Sequence, residues 1–394
     1  MDPFLTLMQI AGLVVGGMCH ALLGSIKVPL AGKLQIDEAK VGGLVGIFGF
    51  TLIPTVLAAG FLVDALGQKA VLTGGLALLT VSLVLLSQAR SYPVALVAVL
   101  LLGIGWSALV NVLNVTSPPA FLPLEKTARH MAYAMNLGDF IFGMGAFATP
   151  LLIAALVPRI RLERTLLVPA AITILPLVLA YGVDWGRLIV THEQTVSGGL
   201  GVLLSDPIVW LCCAAFFCHV PIEASVAAWA TTLMTGRGVS EATAATLLSV
   251  FWLTFTGSRL LTALLLPAGA DTILVAAMAG LCIAFTVGLA LSRSASLTCG
   301  LVVAAGLILG PIFPTLIAIL MSHVTPSLHG RVVGIFFCIG GIGWTAIPIL
   351  IGAYAKRTNV QRAFLIATLC AVLLTGLSLA LHGALAGRHG SPGG

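Results

Sequence analysis

Twelve apolar stretches of about 20 residues, cut from one another by polar or Gly/Pro-rich punctuation, constrain this 394-residue chain more than any motif in it. They run at 5–30, 41–63, 70–89, 93–118, 131–157, 165–183, 207–235, 242–267, 271–292, 296–323, 330–355 and 361–384. Hydrocarbon offers a backbone N–H or C=O no partner, so a chain that crosses it must satisfy those groups within a helix or a closed barrel. With 59% hydrophobic residues, 8% charged residues and a mean hydropathy of +1.13, the chain lies far outside the range of water-soluble domains. The reading is an all-α polytopic membrane protein with twelve transmembrane helices. The opening MDPFLTLMQIAGLVVGG lacks a basic n-region and its apolar run is too long for a cleaved h-region, so it is read as the first span, retained.

The longest polar interruption, Asp184 to Ser205, carries both charge signs and a Gly/Ser cluster, as a linker does. It sets six spans on either side: an N-terminal six-helix bundle at 1–183, a cytoplasmic linker at 184–206 and a C-terminal six-helix bundle at 207–394. The halves echo each other. GMGAFATPLLI from Gly143 and GIGWTAIPILI from Gly341 share two glycines, a proline five residues after the second, and an aliphatic tail; they fall in the fifth and eleventh spans, equivalent places if each half holds six. A fainter echo sets Gly67 opposite Gly269. Internal repeats of this kind are expected of transporters whose two bundles rock about a midplane site. The eight cysteines lie in apolar spans without metal-ligand spacing and read as packing residues. The sequon Asn114-Val-Thr116 lies inside a span, out of reach of glycosylation.

Polar residues inside the spans fall on shared helix faces. Gly16, His20, Gly24 and Lys27 line one face of span 1; Gly103, Ser107, Asn111, Asn114 and Pro118 one face of span 4; Asn136, Asp139 and Gly143 lie on span 5, and Ser249, Trp252, Thr256 and Arg259 on span 8. Lipid has nothing to offer these groups, so they are expected to face a bundle interior or a watery cavity. Two readings stay open for each: an Asn or Ser can bond a neighbouring helix as well as a solute, and Trp106, Trp229, Trp252 and Trp344 can be packing or interfacial anchors as well as platforms for a ligand.

The polar turn GFLVDALGQK, from Gly60 to Lys69 between spans 2 and 3, resembles the signature loop of the major facilitator superfamily. Gly60, Asp64, Gly67 and Lys69 match the pattern, whereas Ala65 and Gln68 stand at two of its usual basic positions. The resemblance implies the major facilitator fold, transport by alternating access, and a cytoplasmic gating loop formed by Gly60, Asp64, Gly67 and Lys69. Both termini are then cytoplasmic. The positive-inside rule points the other way, since the inner loops would hold Lys69, Lys126, Arg129, Arg187, Arg331 and Arg388 against eleven basic residues outside, Lys27 not counted. A narrower resemblance, to the fucose and glucose permease branch, rests on HVPIEASVAAWATTLM from His219, with Glu223 and Trp229, and on span 8, with Trp252, Gly257 and Arg259. Asn114, Pro118, Asn136, Leu137, Gly145 and Pro150, and the run GPIFPTL from Gly310, echo the branch's helices 4, 5 and 10.

The expected function is therefore a secondary active transporter in a bacterial inner membrane, with its site between spans 1, 4, 5, 7, 8 and 10 and with spans 3, 6, 9 and 12 facing lipid. Its partners would be a small-molecule substrate, a proton as coupling ion and the bilayer; it needs no cofactor, binds no nucleic acid and works as a monomer. A membrane-embedded enzyme would want clustered acids or a HExxH-like set, which the sequence lacks. Asn side chains both donate and accept, which suits hydroxyl groups, and aromatic faces suit the apolar side of a sugar ring. His20, Asn111, Asn114, Asn136, Trp229 and Trp252 are the candidate contacts to a monosaccharide, and efflux of drugs or amphipathic metabolites is the alternative. Glu223, then Asp139, are the candidate proton carriers, with His219 one turn from Glu223 and Arg259 or Lys27 as counter-charge. The acids that the fucose permeases carry in helices 1 and 4 give way here to His20 or Lys27 and to Asn111 or Asn114, so coupling does not carry over residue by residue.

Overall fold

A computed structural model of the protein describes residues 2–123, 130–188 and 199–389. Among the described residues the chain is helical throughout, with no strand. Both halves open on the same device. Asp2 precedes Pro3 and accepts from the Phe4 amide at 2.9 Å; Asp206 precedes Pro207 and accepts from the Ile208 amide at 2.8 Å. An N-cap carboxylate followed by proline satisfies one orphan donor and sets the first helical φ, so each half starts its first span at a fixed residue.

The first half runs α1 (Pro3–Ser25), α2 (Lys27–Leu34), α3 (Glu38–Leu66), α4 (Gln68–Gln88), α5 (Tyr92–Phe121), α6 (Met131–Ile172) and α7 (Ile174–Gly182). The short α8 (Trp185–Leu188) and α9 (Gly199–Ser205) flank residues 189–198, the part of the expected linker that lies outside the described residues. The second half runs α10 (Pro207–Thr235), α11 (Glu241–Leu265), α12 (Asp271–Leu291), α13 (Ala295–Leu309), α14 (Ile312–His323), α15 (His329–Arg357) and α16 (Val360–His389). Lys126 and Arg129, and the side chains of Arg187 and Arg388, also fall outside the description, so four of the six expected inner basic residues are not placed.

Eleven helical stretches among the described residues are long and apolar enough to cross a membrane, and one of them, Met131–Gly182, is 52 residues long. At 1.5 Å per residue that is roughly 78 Å, more than twice the hydrocarbon thickness. Arg161 breaks it, with φ 64° and ψ 160°, so the stretch folds into two spans and the total is twelve. The expected bounds need two corrections. Span 1, read as 5–30, ends at Ser25 and turns into α2; span 10, read as continuous over 296–323, is interrupted at Gly310–Pro311, where proline removes a helical donor.

The described residues of Met1–Ala128, Gly138–Ser197 and Thr325–Cys338 form one compact unit, and those of Arg129–Leu137, Gly198–Val324 and Ile339–Gly394 form a second. In this grouping the first turns of α6 fall with the second unit and those of α15 with the first. In the first unit α5 is the central helix, packed on α1, α3 and α4; Leu72, Leu76, Leu79 and Leu83 of α4 share one buried apolar cluster with Val99, Leu102 and Leu109, while Leu113 lies against Gly12 of α1. In the second, α10 packs on α11, α13, α14 and α16, and α12 on α16. Large apolar side chains remain exposed on α4 (Val81), α7 (Val178), α12 (Ile273) and α16 (Leu369), surfaces that suit hydrocarbon.

The repeated glycines have one physical reason in both units. A Cβ on Gly145 would fall on the Val14 carbonyl of α1, and one on Gly343 on the Phe217 carbonyl of α10. Each second glycine of the repeat thus lets α6 or α15 touch the backbone of the helix that opens its half, the close approach that small residues permit in membranes. At the loop ends, Lys33 donates to the Leu86 and Ser87 carbonyls that close α4, and Arg237 donates to Leu289 and Ser292 at the end of α12. Two of the basic residues that weigh against the expected orientation are therefore engaged in capping helix C-termini.

Candidate functional site

In the first unit the polar face of α1 meets that of α5 through an aromatic cluster. His20 stacks on Trp106 with ring centroids 5.5 Å apart and an angle of 30°; Phe142 and Phe48 stand edge-on to Trp106 at 6.3 and 6.1 Å. Trp106 is 6% exposed, and its indole N–H donates to the Gly16 carbonyl at 2.9 Å, which fixes the ring and makes it a bed for the more exposed His20. Below it, Ser107 and Thr55 share a hydrogen bond of 2.7 Å. Asn114, half-buried, donates to Val110 in its own helix at 2.9 Å. Asn111 is wholly buried and donates through Nδ2 to the Gly330 carbonyl at 3.1 Å.

The expected gating loop is built around a sharp change of direction. Gly67 ends α3 with φ 83° and ψ 158°, a backbone region that side chains disfavour. Asp64, whose side chain is 10% exposed, forms an ion pair with Arg331, which also lies over the Phe61 ring at 5.7 Å. A Cβ on Gly60 would collide with the Gly330 carbonyl. Lys69 lies outside that contact, its ammonium over the Tyr181 ring at 5.0 Å. Arg331 entered the sequence reading only as a loop charge, and nothing in its neighbourhood signalled a partner 267 positions away.

The second unit gathers the ionisable candidates. On α10, His219 is fully buried and Glu223 13% exposed, with Nε2 and Oε2 3.7 Å apart, one helical turn on. Arg259 of α11, 7% exposed, acts electrostatically on His219, donates through Nε to the Gly310 carbonyl at 3.1 Å and lies over Phe255 at 4.4 Å. Trp252 stands edge-on to Phe251 and Phe255 at 4.9 and 5.5 Å, and Trp229 is half-buried on α10. Asn136 is buried in this unit too, donating to Ala132 at 3.0 Å and to the Thr315 hydroxyl at 3.1 Å. Asp139, one turn along α6, falls in the first unit and is half-buried.

One expected counter-charge is placed elsewhere. Lys27 sits in α2 with a side chain 42% exposed and pairs with Glu38 at 3.4 Å, so it is engaged with the acid that opens α3. Sequence reasoning also missed Gln9. Fully buried in α1, it donates to the Leu113 carbonyl at 2.8 Å and to Ser117 at 2.6 Å, and accepts from Thr116 at 2.7 Å, tying α1 to α5 by its whole amide. A lone glutamine in the first apolar stretch was the available signal.

A family model for the Major Facilitator Superfamily matches residues 10–348. No curated protein sequence matches the chain. Among solved structures, the E. coli fucose:proton symporter FucP superposes with a TM-score of 0.79 at 17% identity, over 97% of this chain and 98% of that one. The human organic anion transporter MFSD10 (TETRAN) does so at 0.77 and 15% identity, over 96% and 100%. The proton:xylose symporter XylE, bound to 6-bromo-6-deoxy-D-glucose, gives 0.72 at 14% identity, over 96% and 95%. At such identities the likeness bears on the fold, an all-α architecture of twelve helices in the major facilitator arrangement.

Proposed function

The chain belongs to the Major Facilitator Superfamily and is a multi-pass integral membrane transporter, and from that premise we propose that it moves a small neutral polyhydroxylated solute, such as a monosaccharide, by alternating access coupled to protons. The observation that carries the coupling is the buried group His219, Glu223 and Arg259 in the second unit. An ionised acid in a helix that crosses hydrocarbon is costly unless a cation or a proton neutralises it. Arg259 acts on His219, one turn from Glu223, and the partial exposure of the carboxylate leaves it open to a proton. Asp139 is the second candidate carrier.

The substrate class follows from what the cations are doing. Lys27 is paired with Glu38, and Arg259 is buried against Gly310 and Phe255, which favours a neutral solute over an anion. His20 on its Trp106 bed, Asn114, Trp229 and Trp252 are the proposed solute contacts, hydroxyl-compatible groups beside aromatic faces. The fold shared with fucose:proton and xylose:proton symporters agrees with this reading. A second reading, movement of an amphipathic organic anion, draws on the comparable likeness to MFSD10. A bacterial inner membrane with both termini inside is the proposed setting.

Proteoliposomes loaded against a panel of labelled monosaccharides and organic anions decide between the two readings. Saturable uptake of a sugar that weakens in Trp229→Ala supports the first; uptake confined to anions replaces it with the second. Within the sugar reading, Glu223→Gln should lose accumulation driven by a pH difference yet keep equilibrium exchange. If Glu223→Gln and Asp139→Asn both still concentrate the solute, the coupling assignment is wrong.

A further inference from the structure

We propose that Asn111 and Asn136 are positioning residues that fasten the two exchanged segments, 325–338 and 129–137, into their host units, and that they do not serve as contacts to the transported solute. The inference deepens the transport reading, because segments that pack with the helices of the other half are the parts of the fold best placed to let go during turnover.

The two segments occupy equivalent places in the internal repeat. Residues 129–137 lie just upstream of Gly143, and 325–338 just upstream of Gly341. In each case a buried asparagine amide joins segment to host. Asn111, on α5 of the first unit, donates to the Gly330 carbonyl of the incoming α15 turn; Asn136, on the incoming α6 turn, donates to Thr315 on α14 of the second unit. The amide orientation is fixed by chemistry. The Gly330 and Ala132 carbonyls only accept, so the atoms facing them at 3.1 and 3.0 Å are the NH2 groups.

The surroundings of the first fastener explain why a single hydrogen bond matters there. Around Gly330 the packing is backbone against backbone: a Cβ at Gly330 would meet the Gly60 carbonyl and Val63 at 3.0 Å, and one at Gly334 would meet the Val56 carbonyl at 2.9 Å and Leu57 at 3.2 Å. Smooth contacts of this kind resist separation but say little about register. The Asn111 bond is directional, and a slide of one residue carries the Gly330 carbonyl about 1.5 Å away from it. Asp64 and Arg331 add a charged tie to the same segment, and His130 of the second segment lies within electrostatic reach of Asp271, so each reporter is compared with its own pH profile in the parental chain.

A substitution that reverses the donor at constant shape tests this. In a chain whose eight native cysteines are replaced, Leu328→Cys and Ala134→Cys report on the two segments, since these positions are 5% and 0% exposed and react with a maleimide only when their segment leaves its host. Asn111→Asp sets a carboxylate against the Gly330 carbonyl. It should speed labelling at Leu328→Cys about tenfold near pH 8, fall back toward the parental rate near pH 5 as the protonated acid regains a donor, and leave Ala134→Cys unchanged. Asn136→Asp should do the reverse. Unchanged labelling overturns the proposal, and so does acceleration at both reporters together, which would mean general loosening. If Asn111→Asp does not fold, Asn111→Leu removes the donor at similar volume without adding a charge and should accelerate Leu328→Cys alike, with no change again counting against the proposal. None of these readouts uses a solute, so a wrong sugar assignment would leave them untouched and would appear only in the uptake panel.

Discussion

The turn between α3 and α4 and the turn between α11 and α12 share a positive-φ glycine and little else. Gly67 and Gly269 both sit at φ 83°. Around the first, Asp64 meets Arg331, Gly60 admits the Gly330 carbonyl and Lys69 covers Tyr181. Around the second, Ala270 closes a tight turn onto Pro267 at 3.1 Å, and Gly257, one helix length upstream, has open space where a Cβ would go. The positive-φ glycine therefore recurs in both halves, and the ion pair and the close backbone approach are found at one of the two turns. That asymmetry gives each prediction an internal control.

The largest expected difference is between Gly60→Ala and Gly257→Ala. At Gly60 the new methyl falls on the Gly330 carbonyl, so the first unit must shed the 325–338 segment or distort, and uptake should be abolished. At Gly257 the methyl meets nothing, and removing a helix-interior glycine should raise thermal stability by about 0.5–1 kcal/mol with uptake intact. Comparable loss at both positions would break the comparison. Next comes the ion pair. Asp64→Asn or Arg331→Gln should each cost about 1–2 kcal/mol, a figure held down by the 28% exposure of the Arg331 side chain, and should slow transport roughly tenfold. The exchange Asp64→Arg with Arg331→Asp should recover part of it, whereas a merely local effect of either substitution would add.

What the sequence made legible follows the same division. Twelve spans, the Gly143 and Gly341 repeat and the polar faces of α1 and α5 could be read because each rests on a local pattern: a run of apolar residues, a spacing of glycines, a three-to-four periodicity. Partners across the chain could not. Nothing local to Lys27 announced its pairing with Glu38, and nothing local to Asn111 announced its bond to the Gly330 carbonyl. The break at Arg161 was legible only as a gap between two apolar runs, since nothing in an arginine announces a positive φ. Gln9 was overlooked because one polar residue changes the mean hydropathy of a long apolar run little, and its partners Leu113, Thr116 and Ser117 lie far along the chain.

Arg161 sharpens the comparison of the two turns. It holds φ 64° and ψ 160°, nearly the conformation of Gly67, with a full side chain. If the turn region costs a non-glycine residue about 1–3 kcal/mol, Gly67→Ala and Gly269→Ala should each lose about that much stability, and Arg161→Gly should gain about 1 kcal/mol, read as shifts in thermal unfolding in the same detergent. An Arg161→Gly variant that is less stable would mean that the Arg161 side chain, 88% exposed and 3.9 Å from Glu163, contributes more than the strain it carries.

The smallest effect separates the two charges of the Gly60 to Lys69 stretch. Lys69 and Asp64 stand in one motif, but Asp64 is buried against Arg331 while Lys69 reaches outward to a tyrosine that is 68% exposed. A cation over an aromatic face at such a site contributes about 0.5 kcal/mol, because water or headgroups solvate the ammonium almost as well. Lys69→Ala should therefore change uptake by less than about twofold, and a double-mutant cycle with Tyr181→Ala should return a coupling of about 0.5 kcal/mol, the interaction left after subtracting each single loss. Asp64→Asn measured in the same preparation should exceed it several times over. Were Lys69→Ala instead as damaging as Asp64→Asn, the working charge of the loop would be the exposed lysine, and the pairing with Arg331 would be a bystander to the turn that carries it.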